Sequence, residues 1–218
     1  MQSQWEPFKV AAEEAARQNN FAEAERNWLK ALDCDELCRD DPRVFITLDG
    51  IAEACVRQGK IEEAERWLKR SVGLKVKALG QDHMEVAQSL NNLAAVYFEI
   101  KKYADVEPIA KRVLDIYTTN LGPEHPKVVV MTGNLAMLYQ RLGNYPQASR
   151  LYRQALAMKS KTMGEDHPEV LALKAQLSDI KHQTITEAVC EICGRPYAGQ
   201  QCLKCTGLAL KAIDVKSR

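Results

Sequence analysis

The chain has 218 residues, with 30 Lys and Arg against 29 Asp and Glu and a formal net charge of +1. That balance lacks the charge excess by which nucleic acids or anionic membranes select a partner. The opening stretch, MQSQWEPFKVAAEEAARQNN, has neither a basic start nor an apolar run, and no segment reaches the roughly 18 apolar residues of a membrane span. A soluble, cytoplasmic chain with no membrane partner is expected.

Apolar residues then recur in steps of three and four, the period of amphipathic helices. The first such unit carries Phe8, Ala12 and Ala15, then Ala24, Trp28 and Ala31. It ends in LDCDELC, where Cys34 and Cys38 lie one helical turn apart and read as buried thiols. After RDDP comes a second unit with Ile51, Ala52 and Cys55, then Ala64 and Val72. A third follows GQDHM with Leu93, Ala94 and Tyr97, then Val106 and Leu114. A fourth follows GPEHP with Leu135, Ala136 and Tyr139, then Ala148 and Leu156. From the second unit onward these positions repeat every 42 residues, and the first fits with a linker two residues shorter. Each unit breaks once in its middle, as at Gly143-Asn144, so each predicts two antiparallel helices. Pro108 falls inside the second helix of the third unit, where a lost hydrogen bond and a ring clash predict a local distortion. A last phrase, GEDHP, opens EDHPEVLALKAQLSDIKHQT, a single helix suited to capping the array.

The phrases between units act as punctuation. Pro126 and Pro168 suit the first helical position, where a missing N–H costs nothing. Gly164 stands where the chain leaves a helix with positive φ. His125 and His167 sit at helix entrances, yet Asp41 takes the same place in RDDP, so histidine is not required. Residues a full repeat apart are also too distant to share a metal. His182, outside that phase, is expected to be exposed at the end of the cap helix.

Leu135, Ala136, Tyr139, Ala148, Tyr152 and Ala155 match the packing pattern of the tetratricopeptide (TPR) repeat, and the chain resembles that family over roughly residues 5 to 183. The usual unit has about 34 residues. The longer second helix, the G-x-x-H-P connector and the phrases NNLAAVY and GNLAMLY resemble the arrays of kinesin light chains and their bacterial relatives. The resemblance implies an all-α, right-handed superhelix of four helix pairs plus a capping helix. Repeats fall at about 5–38, 42–79, 84–121 and 126–163, with a cap at 168–184, so the array fills 1–185.

In such arrays the first helix of each pair lines a concave groove. The family pattern then places Lys9, Glu13, Arg17, Asp49, Glu53, Arg57, Asn91, Asn92, Glu99, Asn134, Met137 and Arg141 toward it. Asn92 and Asn134 stand one repeat apart, and an amide that both donates and accepts can grip a peptide backbone whatever its side chains. The family's chaperone-tail clamp would need cationic and amide groups at Lys9, Glu13, Gly50, Gln88 and Asn92. Only Lys9 fits, so that partner is not expected. No heptad segment precedes Trp5, so a motor subunit is not expected either. Kinesin light chains bind acidic-aromatic peptides through basic residues, whereas Glu6, Glu13, Asp49 and Glu53 make the N-terminal half of this groove acidic.

The remaining segment, 186–218, holds CEICGRPYAGQQCLKC, two C-x-x-C pairs separated by eight residues. Two thiolates on such a turn can lie about 3.7 Å apart, the edge of a tetrahedron around Zn²⁺ with Zn–S near 2.3 Å. Gly194 permits the chain reversal after the first pair. Cys190, Cys193, Cys202 and Cys205 are therefore the expected ligands of a structural zinc. The first half resembles the knuckle of zinc ribbons and rubredoxins, while in CLKCTG the glycine comes one place late. Redox-dithiol and iron readings stay open beside zinc. Five basic residues (Arg195, Lys204, Lys211, Lys216, Arg218) face Glu191 and Asp214, and that small surplus is mostly cancelled by a four-thiolate zinc, which argues against nucleic acid.

No phosphate loop, nucleophile elbow or H-E-x-x-H helix appears. The expectation is a non-enzymatic scaffold that binds a protein or peptide in its groove, with Asn91, Asn92, Asn134, Arg57 and Arg141 as contact residues. The alternative is a metal-dependent redox or nucleic-acid factor acting through the four-cysteine tail.

Overall fold

The computed structural model describes residues 4–34 and 41–187, with side chains to residue 180. Cys38, His182 and the four tail cysteines lie outside the described side chains, as does the expected boundary between array and tail. Among the described residues there are nine α-helices and no strand. They are α1 (Trp5–Arg17), α2 (Phe21–Leu32), α3 (Pro42–Arg57), α4 (Ile61–Leu79), α5 (Met84–Glu99), α6 (Tyr103–Leu121), α7 (Pro126–Arg141), α8 (Tyr145–Met163) and α9 (Pro168–Glu187). None of the described helices is long and apolar enough to cross a membrane.

The chain divides into two compact units, the first ending at Met131 and the second beginning at Thr132, so the boundary falls inside α7. In the first unit each helix packs on the next, from α1 through α6. The residues in repeat phase build the core. Ala12, Ala24, Ala31 and Ala64 are fully buried, and Ala52 is nearly so. Their small side chains let paired helices approach, and Ile51 and Cys55 of the second hairpin pack with Trp5, Trp28 and Ala31 of the first. Trp5 anchors the first hairpin to the second: its indole N–H donates to Thr47 Oγ1 at 2.8 Å in a buried site.

The second unit holds the end of α7 with α8 and α9. Tyr152 Oη donates to Gln140 Oε1 at 3.2 Å, and α9 packs on α8 with Val170 and Ile180 buried. Leu171 stays half exposed on the other side of α9.

The connector histidines have a definite task. Nδ1 of His83 accepts the backbone N–H of Glu85 at 3.2 Å, that of His125 the N–H of Lys127 at 3.1 Å, and that of His167 the N–H of Glu169 at 3.3 Å. Asp41 does the same for Arg43 at 2.9 Å. Each satisfies a donor that the first helical turn leaves orphaned. Asp and His alternate in this place because both offer an acceptor two residues before the N–H to be capped. Gly80, Gly122 and Gly164 precede these caps at φ of 86 to 90° with ψ near 160°, a conformation essentially confined to glycine.

Pro108, where a local distortion is expected, does not end its helix. Helix α6 starts in the same phase as α4 and α8 and continues through the proline to Leu121. Pro108 and Ala104, whose carbonyl loses its intrahelical donor, are both exposed, so water can replace the missing bond.

The turn inside each hairpin also repeats. Asn19, Gly59, Lys101 and Gly143 occupy one phase and all have φ between 60° and 75°. Lysine there is strained by about 1 kcal/mol, because its Cβ crowds the following carbonyl. Lys101→Gly should therefore raise stability by roughly 0.5–1 kcal/mol in urea unfolding; a drop would show that the Lys101 side chain makes a stabilising contact.

Candidate peptide-binding groove

In the first unit an open groove of about 910 Å³ is lined chiefly by the first helix of each hairpin. From α1 it takes Glu13, Ala16 and Arg17, and from α3 Ile46, Asp49, Gly50, Ala52, Glu53 and Val56. Helix α5 adds Gln88, Asn92, Ala95, Val96 and Glu99, and Trp28 and Leu68 reach in from the second helices α2 and α4. Period and pairing explain this. The stripes at Ala12 and Ala94 turn inward against the second helices, so residues offset from them face out into the groove.

The floor is apolar and preorganised. Ile46 is 47% exposed there. Trp28 lies directly beneath Gly50, where a Cβ would stand only 2.3 Å from Trp28 Cε2. Glycine is thus what admits the indole at this point. Among the described residues no acceptor meets the indole N–H, which is not sealed from solvent either.

The polar groups fall into two sets. Asp49 is already committed: it accepts from Lys75 Nζ at 2.6 Å and from Ser71 Oγ at 2.6 Å, and Ser89 lies in the same network. The Lys75 side chain is only 4% exposed, so this ion pair ties α3, α4 and α5 together beneath the groove. By contrast Gln88 and Asn92, four residues apart on α5, are exposed, and neither amide has a partner among the described residues.

The other expected contact residues are distributed. Arg57 stacks over the Phe21 ring at 5.5 Å and lies outside the groove lining. Asn91 is half buried beside Asn92 and is not part of that lining. Lys9 pairs with Glu6 at 3.3 Å and covers the Trp5 ring. Asn134, Met137 and Arg141 form an exposed strip along α7 in the second unit. Trp28 and Ile46 are groove residues that sequence reasoning misses. Ile46 shares its phase with Gln88 and Val130, and that offset from the core stripe is the available signal.

A second cluster invites a metal reading. Ligand atoms of Glu25, Cys55 and Glu63 lie within 4.8 Å of one another. A cation is already present, however: Lys60 Nζ reaches Glu25 Oε2 at 2.6 Å, and Gln58 Nε2 donates to the same oxygen at 2.7 Å. The next repeat has the same bracket, with Glu65 for Glu25, Tyr97 for Cys55 and Lys102 for Lys60. There Tyr97 Oη donates to Glu65 Oε1 at 2.9 Å and Lys102 lies 3.6 Å from Glu65 Oε2. The cluster is therefore a structural clasp between successive hairpins. Burial first, then the Glu25 and Glu63 carboxylates, push the Cys55 thiol up to about 12, which keeps it protonated and unreactive. Cys34 is likewise buried, and its thiol donates to the Lys30 carbonyl at 3.4 Å.

The family model of the tetratricopeptide repeat matches residues 12–75, 85–161 and 127–184. No curated protein matches the sequence. Among solved structures, the chain is similar to the nearly identical TPR-like repeats of a Podosopora anserina protein named for kinesin light chain. The match has a TM-score of 0.72 at 23% identity and covers 84% of this chain and 89% of that one. A point variant of the same Podosopora anserina repeats gives the same TM-score at 22% identity, covering 84% and 87%. BtubC (BKLC) of P. vanneervenii follows with a TM-score of 0.70 at 19% identity, covering 82% and 72%. At these identities the likeness speaks to fold.

Burial works to raise the Glu25 carboxyl, but the hydrogen bonds from Lys60 and Gln58 outweigh it and hold the group below its ordinary 4.5. A carboxyl depressed on folding adds stability that is complete above the unfolded value and disappears as pH falls through the folded one. Glu25→Gln should cost about 1 kcal/mol at neutral pH, a modest figure because Lys60 is 41% exposed. Urea midpoints of the two proteins should converge as the pH drops below 4.5. A gap that stays constant with pH would refute the clasp's charge.

Proposed function

The chain belongs to the tetratricopeptide repeat family, and we propose that it works as a scaffold holding a peptide or protein partner against the α1–α3–α5 groove. The observation that carries this reading is the pairing of two partner-free amides, Gln88 and Asn92, with an exposed apolar floor at Ile46. Amides spaced one helical turn apart can meet successive polar groups of an extended backbone, while Ile46 and Val56 offer apolar contact to alternate side chains. Asn134 and Arg141, on α7, are proposed as further contacts of the second unit. The reading contains no catalytic step.

Short peptides selected from a random display library against the full chain supply the test. The Gln88→Ala/Asn92→Ala variant should bind them about tenfold more weakly, the loss of one or two net hydrogen bonds. Unchanged affinity would place binding elsewhere.

For the tail we propose that Cys190, Cys193, Cys202 and Cys205 hold one structural Zn²⁺. Support comes from the sequence spacing alone, since these residues lie outside the described part of the chain. Metal binding at four thiolates would supply folding energy on the order of 10 kcal/mol. Purified protein should be colourless with one zinc per chain by elemental analysis, and Cys190→Ser/Cys202→Ser should lose it. A thiolate–iron absorption band would overturn the assignment and revive the redox alternative.

A further inference from the structure

We propose that the α1–α3–α5 groove selects a cationic peptide, one that carries Lys or Arg beside an apolar side chain. The inference rests on the groove reading above and adds to it the chemistry of the partner.

Four carboxylates and one guanidinium line the groove. Two of these five charges are already answered within the protein. Asp49 is held by the buried ammonium of Lys75 at 2.6 Å, and Arg17 pairs with Glu14 at 3.2 Å. That leaves Glu13, Glu53 and Glu99, none of which has a hydrogen-bond or ion-pair partner among the described residues. Elsewhere several carboxylates are answered. Glu6, Glu14, Glu23, Glu25 and Glu65 all pair with a nearby Lys or Arg. Other carboxylates, among them Glu62, Glu85 and Asp115, are likewise unpaired among the described residues, but Glu13, Glu53 and Glu99 share one groove.

Their placement follows the repeat. Glu13 and Glu53 occupy the same phase in the first and second hairpins, so both project from the first helix into the groove. Glu99 lies in the phase that holds Arg17 and Arg57 in the earlier repeats, and so replaces a cation with an anion. The same groove carries the apolar Ala16, Ile46, Val56 and Ala95. A concave surface with low-dielectric walls and charge of one sign concentrates ligands of the opposite sign. Cationic side chains have long apolar stems that can lie along such a strip while their heads reach the carboxylates. Acidic peptides would instead bring like charges together in a partly desolvated site.

Two fluorescein-labelled peptides with identical apolar positions form the probe, one bearing Lys and Arg at the remaining positions and the other Glu. Fluorescence anisotropy with the full chain should show the basic peptide binding at least about tenfold tighter, with the advantage shrinking as salt rises. Glu13→Gln/Glu53→Gln/Glu99→Gln should abolish the preference. Gln88→Ala/Asn92→Ala should weaken the basic peptide while leaving the preference for it intact. If the acidic peptide binds equally or better, and the amide variant still weakens it, the charge proposal falls and the groove reading stands. If neither peptide binds, or binding ignores both sets of substitutions, both fall.

Discussion

A helical hairpin with apolar side chains on both broad faces cannot cover them by itself. It must be stacked, and everything else in the first unit follows from that constraint. The fully buried alanines at positions 12, 24 and 64 set how closely the helices of a pair approach. Larger residues between hairpins, among them Ile51 and Cys55 of α3, are buried in one cluster with Trp5, Trp28 and Ala31 of the first hairpin. Burying each such side chain contributes about 1.5–3 kcal/mol, and the sum opposes the entropy of ordering the chain.

Stacking also separates two kinds of position within a repeat. Core positions face a neighbour of fixed shape, so small, aliphatic and aromatic residues recur in phase. Groove positions face solvent or ligand and are free to differ. Among the groove-lining residues one phase reads Ile46 and Gln88, another Glu13, Glu53 and Ala95, and a third Arg17 and Glu99. Because the scaffold is indifferent to these substitutions, they can record what the groove holds. The exception is Asp49, whose carboxylate lines the groove yet is anchored from below by Lys75 and Ser71. It stiffens the wall more than it presents charge.

This division explains what the sequence makes legible. Periodic apolar positions locate all four hairpins and α9, because one buried side chain per turn is a strong, local signal. The mid-hairpin turns and the prolines that open α3, α7 and α9 are equally local. The connector histidines read correctly as punctuation, but their role as acceptors for the N–H of each helix's second residue depends on where the fold places Nδ1. The clash at Pro108 is local and legible, whereas its remedy, exposure of Ala104, depends on which face of α6 meets water. Lys75 resembles a solvated lysine in sequence. Only the meeting of α3, α4 and α5 reveals it as a buried partner, and the fit of Trp28 beneath Gly50 is non-local in the same way.

The clasps between hairpins show how the repeat settles its own register. The residue that precedes each second helix is Asn20, Lys60, Lys102 and Asn144 in turn. The asparagines cap their helices, accepting from Glu23 and Gln147, whereas the lysines make no side-chain cap. Lys60 and Lys102 instead reach back to Glu25 and Glu65 of the preceding hairpin. Giving up a cap forfeits about 1 kcal/mol, and a partly exposed ion pair returns no more than that. Net stability is therefore a poor reason for the exchange. Specificity is a better one. Apolar stripes that repeat every three or four residues tolerate a slip of one turn between stacked hairpins. After such a slip, Glu25 would keep its burial and lose both Lys60 and Gln58. Leaving a largely buried carboxylate without partners costs more than the intact pair returns, so the clasp penalises the wrong register more than it stabilises the right one.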